Sequence, residues 1–147
     1  MRLARYEYGD ITGIGAVTHG GLIIPAPWPS FDALFAEPDP EAAVRVFTPD
    51  PAQAIRPDRL LAPTVHRPQV IGTGGNYPDH AAEAREHIQV SEPIFIPFLW
   101  GAVIGPDEEI VVPTSDTQTD YEVEFSVVIG RTARHLTARD AMNYVFG

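Results

Sequence analysis

The stretch Asp120-Tyr121-Glu122-Val123-Glu124-Phe125-Ser126-Val127-Val128-Ile129 carries an acid at three successive alternate positions. On an extended strand successive side chains point to opposite faces, so Tyr121, Val123, Phe125, Val127 and Ile129 share one face. Asp120, Glu122, Glu124 and Ser126 share the other. A rise of ~3.3 Å per residue puts Glu122 and Glu124 about 7 Å apart at the backbone. Flexible carboxylates at that spacing can lean toward one hard cation. Mg²⁺ suits this use, because it takes a few carboxylates and keeps waters for a substrate to displace. The same pattern also describes the solvated face of an ordinary antiparallel strand. Against that, Asp and Glu are depleted in strands and repel one another when neighbours on one face. Pattern alone leaves both readings open.

A second group runs Gly72-Thr73-Gly74-Gly75-Asn76-Tyr77-Pro78-Asp79-His80-Ala81-Ala82-Glu83. A glycine turn after a strand lets backbone amides approach an anionic ligand. It is not a dinucleotide-binding fingerprint, since the third glycine of that motif would fall at Tyr77. On a helix beginning near Pro78, His80 and Glu83 stand at i and i+3 and can meet. A carboxylate beside an imidazole fixes its tautomer and raises its basicity, as a general base acting on water requires. His87 would share that face, so a His80–Glu83–His87 metal cluster is a rival reading. A surface helix with an ordinary Glu–His contact is the plain one.

These groups depend on the elements around them. Leu3 to Tyr8, Thr12 to Val17 and Leu22 to Ile24 are apolar runs split by Gly9-Asp10 and His19-Gly20-Gly21, which predicts strands joined by hairpin turns. Ser30 can cap a short helix through Phe35, and Asp39-Pro40-Glu41 supplies a cap, a first-turn Pro and an acid. The 15 Pro are about twice the usual share and cluster from Pro25 to Pro68, predicting a domain boundary near Pro63 to Pro68. Gln69 to Ile71 predicts a strand leading into the glycines. Ile94 to Ile104 and Ile110 to Val112 read as buried strands, and Tyr121 to Ile129 as a strong one. Thr137 with Asp140 resembles a capping box for a last helix over Ala138 to Val145.

Composition narrows the function. The chain has 147 residues and a net charge of −10, and all ten of its basic residues are Arg. An acidic surface makes nucleic acid or an anionic membrane a poor partner. Without Lys there is no Schiff-base chemistry, and without Cys no disulfide framework or thiolate metal site. Glu7 interrupts the N-terminus before an apolar run of signal-peptide length develops, unlike a secretory signal, and Ile94 to Ile104 is too short to span a bilayer. A cytoplasmic protein is the expectation.

Taken in order, several stretches resemble the fumarylacetoacetate hydrolase family. They are Leu60-Leu61-Ala62-Pro63, Gly74 to Glu83, Val103-Ile104-Gly105-Pro106, Asp120 to Glu124 with Val127 to Arg131, and Asp140 to Gly147. The resemblance implies an α+β, β-rich architecture: a small N-terminal α+β domain with a Pro-rich linker over residues 1–63, then over 64–147 the first part of a mixed β-roll or sandwich catalytic core. It implies Glu122 and Glu124 as ligands of Mg²⁺ or Mn²⁺, His80 with Glu83 as the water-activating pair, and Asn76 and Tyr77 as pocket residues. It further implies a homodimer that cleaves carbon–carbon bonds in small 1,3-dicarbonyl acids such as acylpyruvates, as in aromatic catabolism. The alternatives are decarboxylation, tautomerisation or hydration of an oxaloacetate-type acid, and a non-catalytic binding or dimerisation fragment. Many hydrolytic members carry a Lys shortly after the Phe matching Phe95, where this chain has Ile96-Pro97-Phe98. The family's third metal-binding Asp is expected beyond Gly147, and a Tyr121 to Ile129 strand would then expose an edge.

Overall fold

A computed structural model describes residues 1–77, 79, 92–115 and 118–147. The chain forms two compact units, one of Met1–Val65 with Gly105–Gly147, the other of His66–Ile104. Both sheets and short helices are present, so the architecture is mixed α+β.

The first unit is built on an antiparallel sheet of order β3-β2-β1-β4, with β1 Leu3–Tyr8, β2 Ile11–Val17, β3 Ile23–Pro25 and β4 Arg59–Leu61. Tyr8 pairs with Ile11, leaving Gly9-Asp10 as a two-residue hairpin loop. Gly9 takes φ +55°, the left-handed region this position demands, and its N–H donates to Asp58 Oδ2 at 2.7 Å. Two glycines on β2 let neighbours close in. A Cβ on Gly13 would lie 3.0 Å from the hydroxyl of its cross-strand partner Tyr6, and one on Gly15 would meet Ile23 Cγ2 and Ile24 O at 2.5 Å.

Two capped helices cover this sheet. In α1, Phe31–Phe35, the Ala33 N–H donates to Ser30 Oγ at 3.2 Å. In α2, Pro40–Val46, the Ala42 N–H donates to Asp39 Oδ1 at 2.9 Å. Each cap satisfies an amide that the first helical turn would leave unpaired. Ile14 of β2 packs with Trp28, Phe31 and Leu34 in the buried cluster, and Phe47 meets Trp28 edge-on with ring centroids 5.8 Å apart. Phe146 packs edge-on against Phe35 at 4.9 Å, tying the end of the chain to this core.

The second unit contains a two-stranded antiparallel sheet, β5 Val70–Gly74 with β6 Ile94–Phe98. Thus Gly72 to Gly74 extend the strand, and the turn falls at Gly75, with φ +71°. Gly72 leaves room for the Phe98 ring, which would lie 2.7 Å from a Cβ there.

Four expectations are corrected. The Ile94 to Ile104 run is strand only through Phe98 and is exposed; a 3₁₀ turn, Trp100–Ala102, follows. Ile110 to Val112 is neither strand nor buried. Among the described residues Tyr121 to Ile129 forms no strand ladder, and a bridge joins Ile129 to Val145. The Asp140 N–H does donate to Thr137 Oγ1 at 3.3 Å, but in place of an α-helix there follows a 3₁₀ turn, Ala141–Tyr144, whose N-cap position is Asp140 and which has no side-chain cap. The shared cause is a lack of packing. Apolar alternation and a cap mark where an element can form, but burial against a neighbour supplies most of its stability. Among the described residues, no helix is long and apolar enough to cross a membrane.

Two outcomes are expected in urea unfolding. Gly15→Ala lowers stability by about 1–3 kcal/mol, the cost of forcing a methyl into a packed sheet. The second concerns Asp39. The Ala42 amide chiefly, opposed by partial desolvation and helped by Arg131 and Arg45, holds its carboxyl below the ordinary Asp range. A depressed carboxyl pKa contributes stability that is present above the unfolded-state pKa and lost as pH falls through the folded one. The midpoint difference between wild type and Asp39→Asn therefore shrinks as pH drops from about 6 to about 2. A difference that does not vary with pH rules this out.

Candidate functional site

Glu122 and Glu124 lie in the first unit, on an extended segment whose end is anchored by the last residues of the chain. The Phe146 N–H donates to Val128 O at 2.8 Å, and the Gly130 N–H donates to Tyr144 O at 2.9 Å. A Cβ on Gly130 would sit 2.8 Å from Phe146 Cβ, so glycine permits this close crossing. At the other end of the acidic stretch, Asp120 Oδ1 accepts the Tyr121 N–H at 2.8 Å. Between these anchors both carboxylates are exposed, and so are the apolar residues that alternate with them: Tyr121 is 83% exposed, Val123 84% and Phe125 87%. Neither side of the segment is buried.

Arg131, two residues beyond the bridge, lies 3.5 Å from Asp39, the α2 cap. This ion pair links the region after the acidic segment to the helical layer. Both partners are well exposed, so its contribution is small. Arg59 of β4 similarly sits 3.0 Å from Glu7 and 3.7 Å from Glu108. These acids and cations serve the framework.

Asn76 and Tyr77 belong to the second unit. They follow the Gly75 turn at the end of the β5–β6 ladder, and both are exposed. His80, Glu83 and His87 lie outside the described residues. The structure therefore places Glu122 and Glu124 together on one segment and Asn76 beside Tyr77 on one turn. Among the described residues, no three His, Asp or Glu side chains gather as a metal cluster would.

The chemistry of the two glutamates nonetheless suits a hard divalent cation. Carboxylate oxygens are the donors Mg²⁺ and Mn²⁺ prefer, and one or two carboxylates plus waters is a usual protein share of a Mg²⁺ site. Glu122 and Glu124 would hold such an ion through two carboxylates and would leave the rest of its ligands to other oxygens.

One side-chain group has no counterpart in the sequence reading. Arg67, at φ +55°, places its guanidinium 5.3 Å from the centre of the Trp100 ring, and the His66 ring centroid lies 6.3 Å from the same indole. The contact forms because Val70 pairs with Phe98, which brings the residues before β5 alongside those after β6. No local motif signals it, since its members are far apart in sequence.

The model of the fumarylacetoacetate (FAA) hydrolase C-terminal domain matches residues 69–147. The mitochondrial oxaloacetate tautomerase FAHD2A of Homo sapiens is 38% identical over 88 residues, covering 60% of this chain and 28% of that protein. The fumarylacetoacetate hydrolase domain-containing protein 2 homolog of Dictyostelium discoideum is 40% identical over 79 residues, covering 54% of this chain and 26% of that protein. The matched region thus spans less than a third of either relative.

The hairpin carrying Asn76 and Tyr77 yields a direct test. In Gly72→Ala the added methyl displaces the Phe98 ring, and amide exchange of Val70–Gly74 and Ile94–Phe98 speeds up while that of β1 and β2 does not. Uniform acceleration across both units would contradict this local role for Gly72.

Proposed function

The chain belongs to the fumarylacetoacetate hydrolase family, and we propose that it serves divalent-metal-dependent keto–enol chemistry on small 1,3-dicarbonyl acids of the oxaloacetate type. The observation that carries this reading is the pair of exposed carboxylates, Glu122 and Glu124, on one extended segment inside the family-matched region. The names of relatives such as the Homo sapiens oxaloacetate tautomerase support the substrate class. So does the run Ile96-Pro97-Phe98, where many hydrolytic members of the family carry a Lys shortly after the Phe matching Phe95, because tautomerisation moves a proton and needs no such cation to polarise a scissile bond.

In this reading Glu122 and Glu124 supply two oxygen ligands to Mg²⁺ or Mn²⁺. When bound, the ion would supply Lewis-acid polarisation of a substrate carbonyl. His80 accepts the proton from the carbon between the two carbonyls, and Glu83 holds its imidazole in the basic tautomer. The same proton is returned at the carbonyl oxygen, so the keto and enol forms interconvert with no net gain or loss of atoms. By the family resemblance Asn76 and Tyr77, which follow the Gly75 turn, are assigned to the substrate acid. The β-roll or sandwich form of the catalytic core belongs to this proposal too.

A second reading, carbon–carbon cleavage of an acylpyruvate, draws on the name of the family itself. It uses the same groups, with His80 activating water and the cleaved carbon leaving as an enol.

The test combines binding and turnover. Calorimetry of the 147-residue chain with Mg²⁺ is expected to give one saturable site, lost in the double variant Glu122→Gln, Glu124→Gln. The enol absorbance of oxaloacetate is expected to show metal-dependent conversion that His80→Ala slows by about 100-fold or more. An unchanged metal-dependent rate in the double glutamate variant removes those residues from the role. Zn²⁺ binding that survives in that variant and is lost in His87→Ala would favour the histidine cluster.

A further inference from the structure

We draw no further inference here: the strongest candidate, the exposed apolar flank of the extended segment formed by Tyr121, Val123 and Phe125 in the first unit, carries nothing because nothing in the structure shows what covers it.

Discussion

An extended backbone offers its N–H and C=O groups sideways, so a strand is completed by its neighbour rather than by its own residues. That requirement separates the ordered sheet of this protein from the segment that carries its acidic pair. In the first unit, β1 has β2 on one edge and β4 on the other, while β2 has β3. Each added neighbour buries part of a face and lets Ile14 and Tyr6 leave solvent. The segment bearing Glu122 and Glu124 has the alternation of a strand, yet among the described residues it forms no ladder, and the final residues of the chain cross it at Val128 to Gly130.

Exposure has a consequence for charge. Carboxylates in water interact through a high dielectric and repel only weakly, so Glu122 and Glu124 can sit near one another at little cost. Burial by further strands would raise that repulsion and, with it, the advantage of a cation between them. The proposed affinity for Mg²⁺ therefore depends on how much water the surrounding structure excludes. A chelating dicarbonyl acid would add two further oxygens and displace water as well.

The glycines illustrate how backbone shape limits composition. Gly9 and Gly75 hold the left-handed conformations their turns require, whereas Gly15 and Gly72 leave space for a neighbour's atoms. The glycine-rich stretch before Asn76 thus has two separate purposes within a few residues. Part of it is strand packed against Phe98, and only Gly75 has the turn conformation that brings the chain to Asn76 and Tyr77.

The sequence alone was enough to locate elements whose cause lies within a few residues. Ser30 and Asp39 cap helices because a side-chain oxygen reaches an amide three residues on, and Gly9-Asp10 turns a hairpin because glycine tolerates positive φ. The acidic pair and the family likeness were legible for the same reason, being patterns of residue type along one stretch. Tertiary structure alone decided which apolar runs are buried. Ile94 to Phe98 became an exposed strand, Ile110 to Val112 no strand, and Tyr121 to Ile129 an extended segment with a bridge at Ile129, since burial and strand pairing depend on what lies beside a segment in space. The stacking of Arg67 on Trp100 came from strand register, which no local pattern encodes.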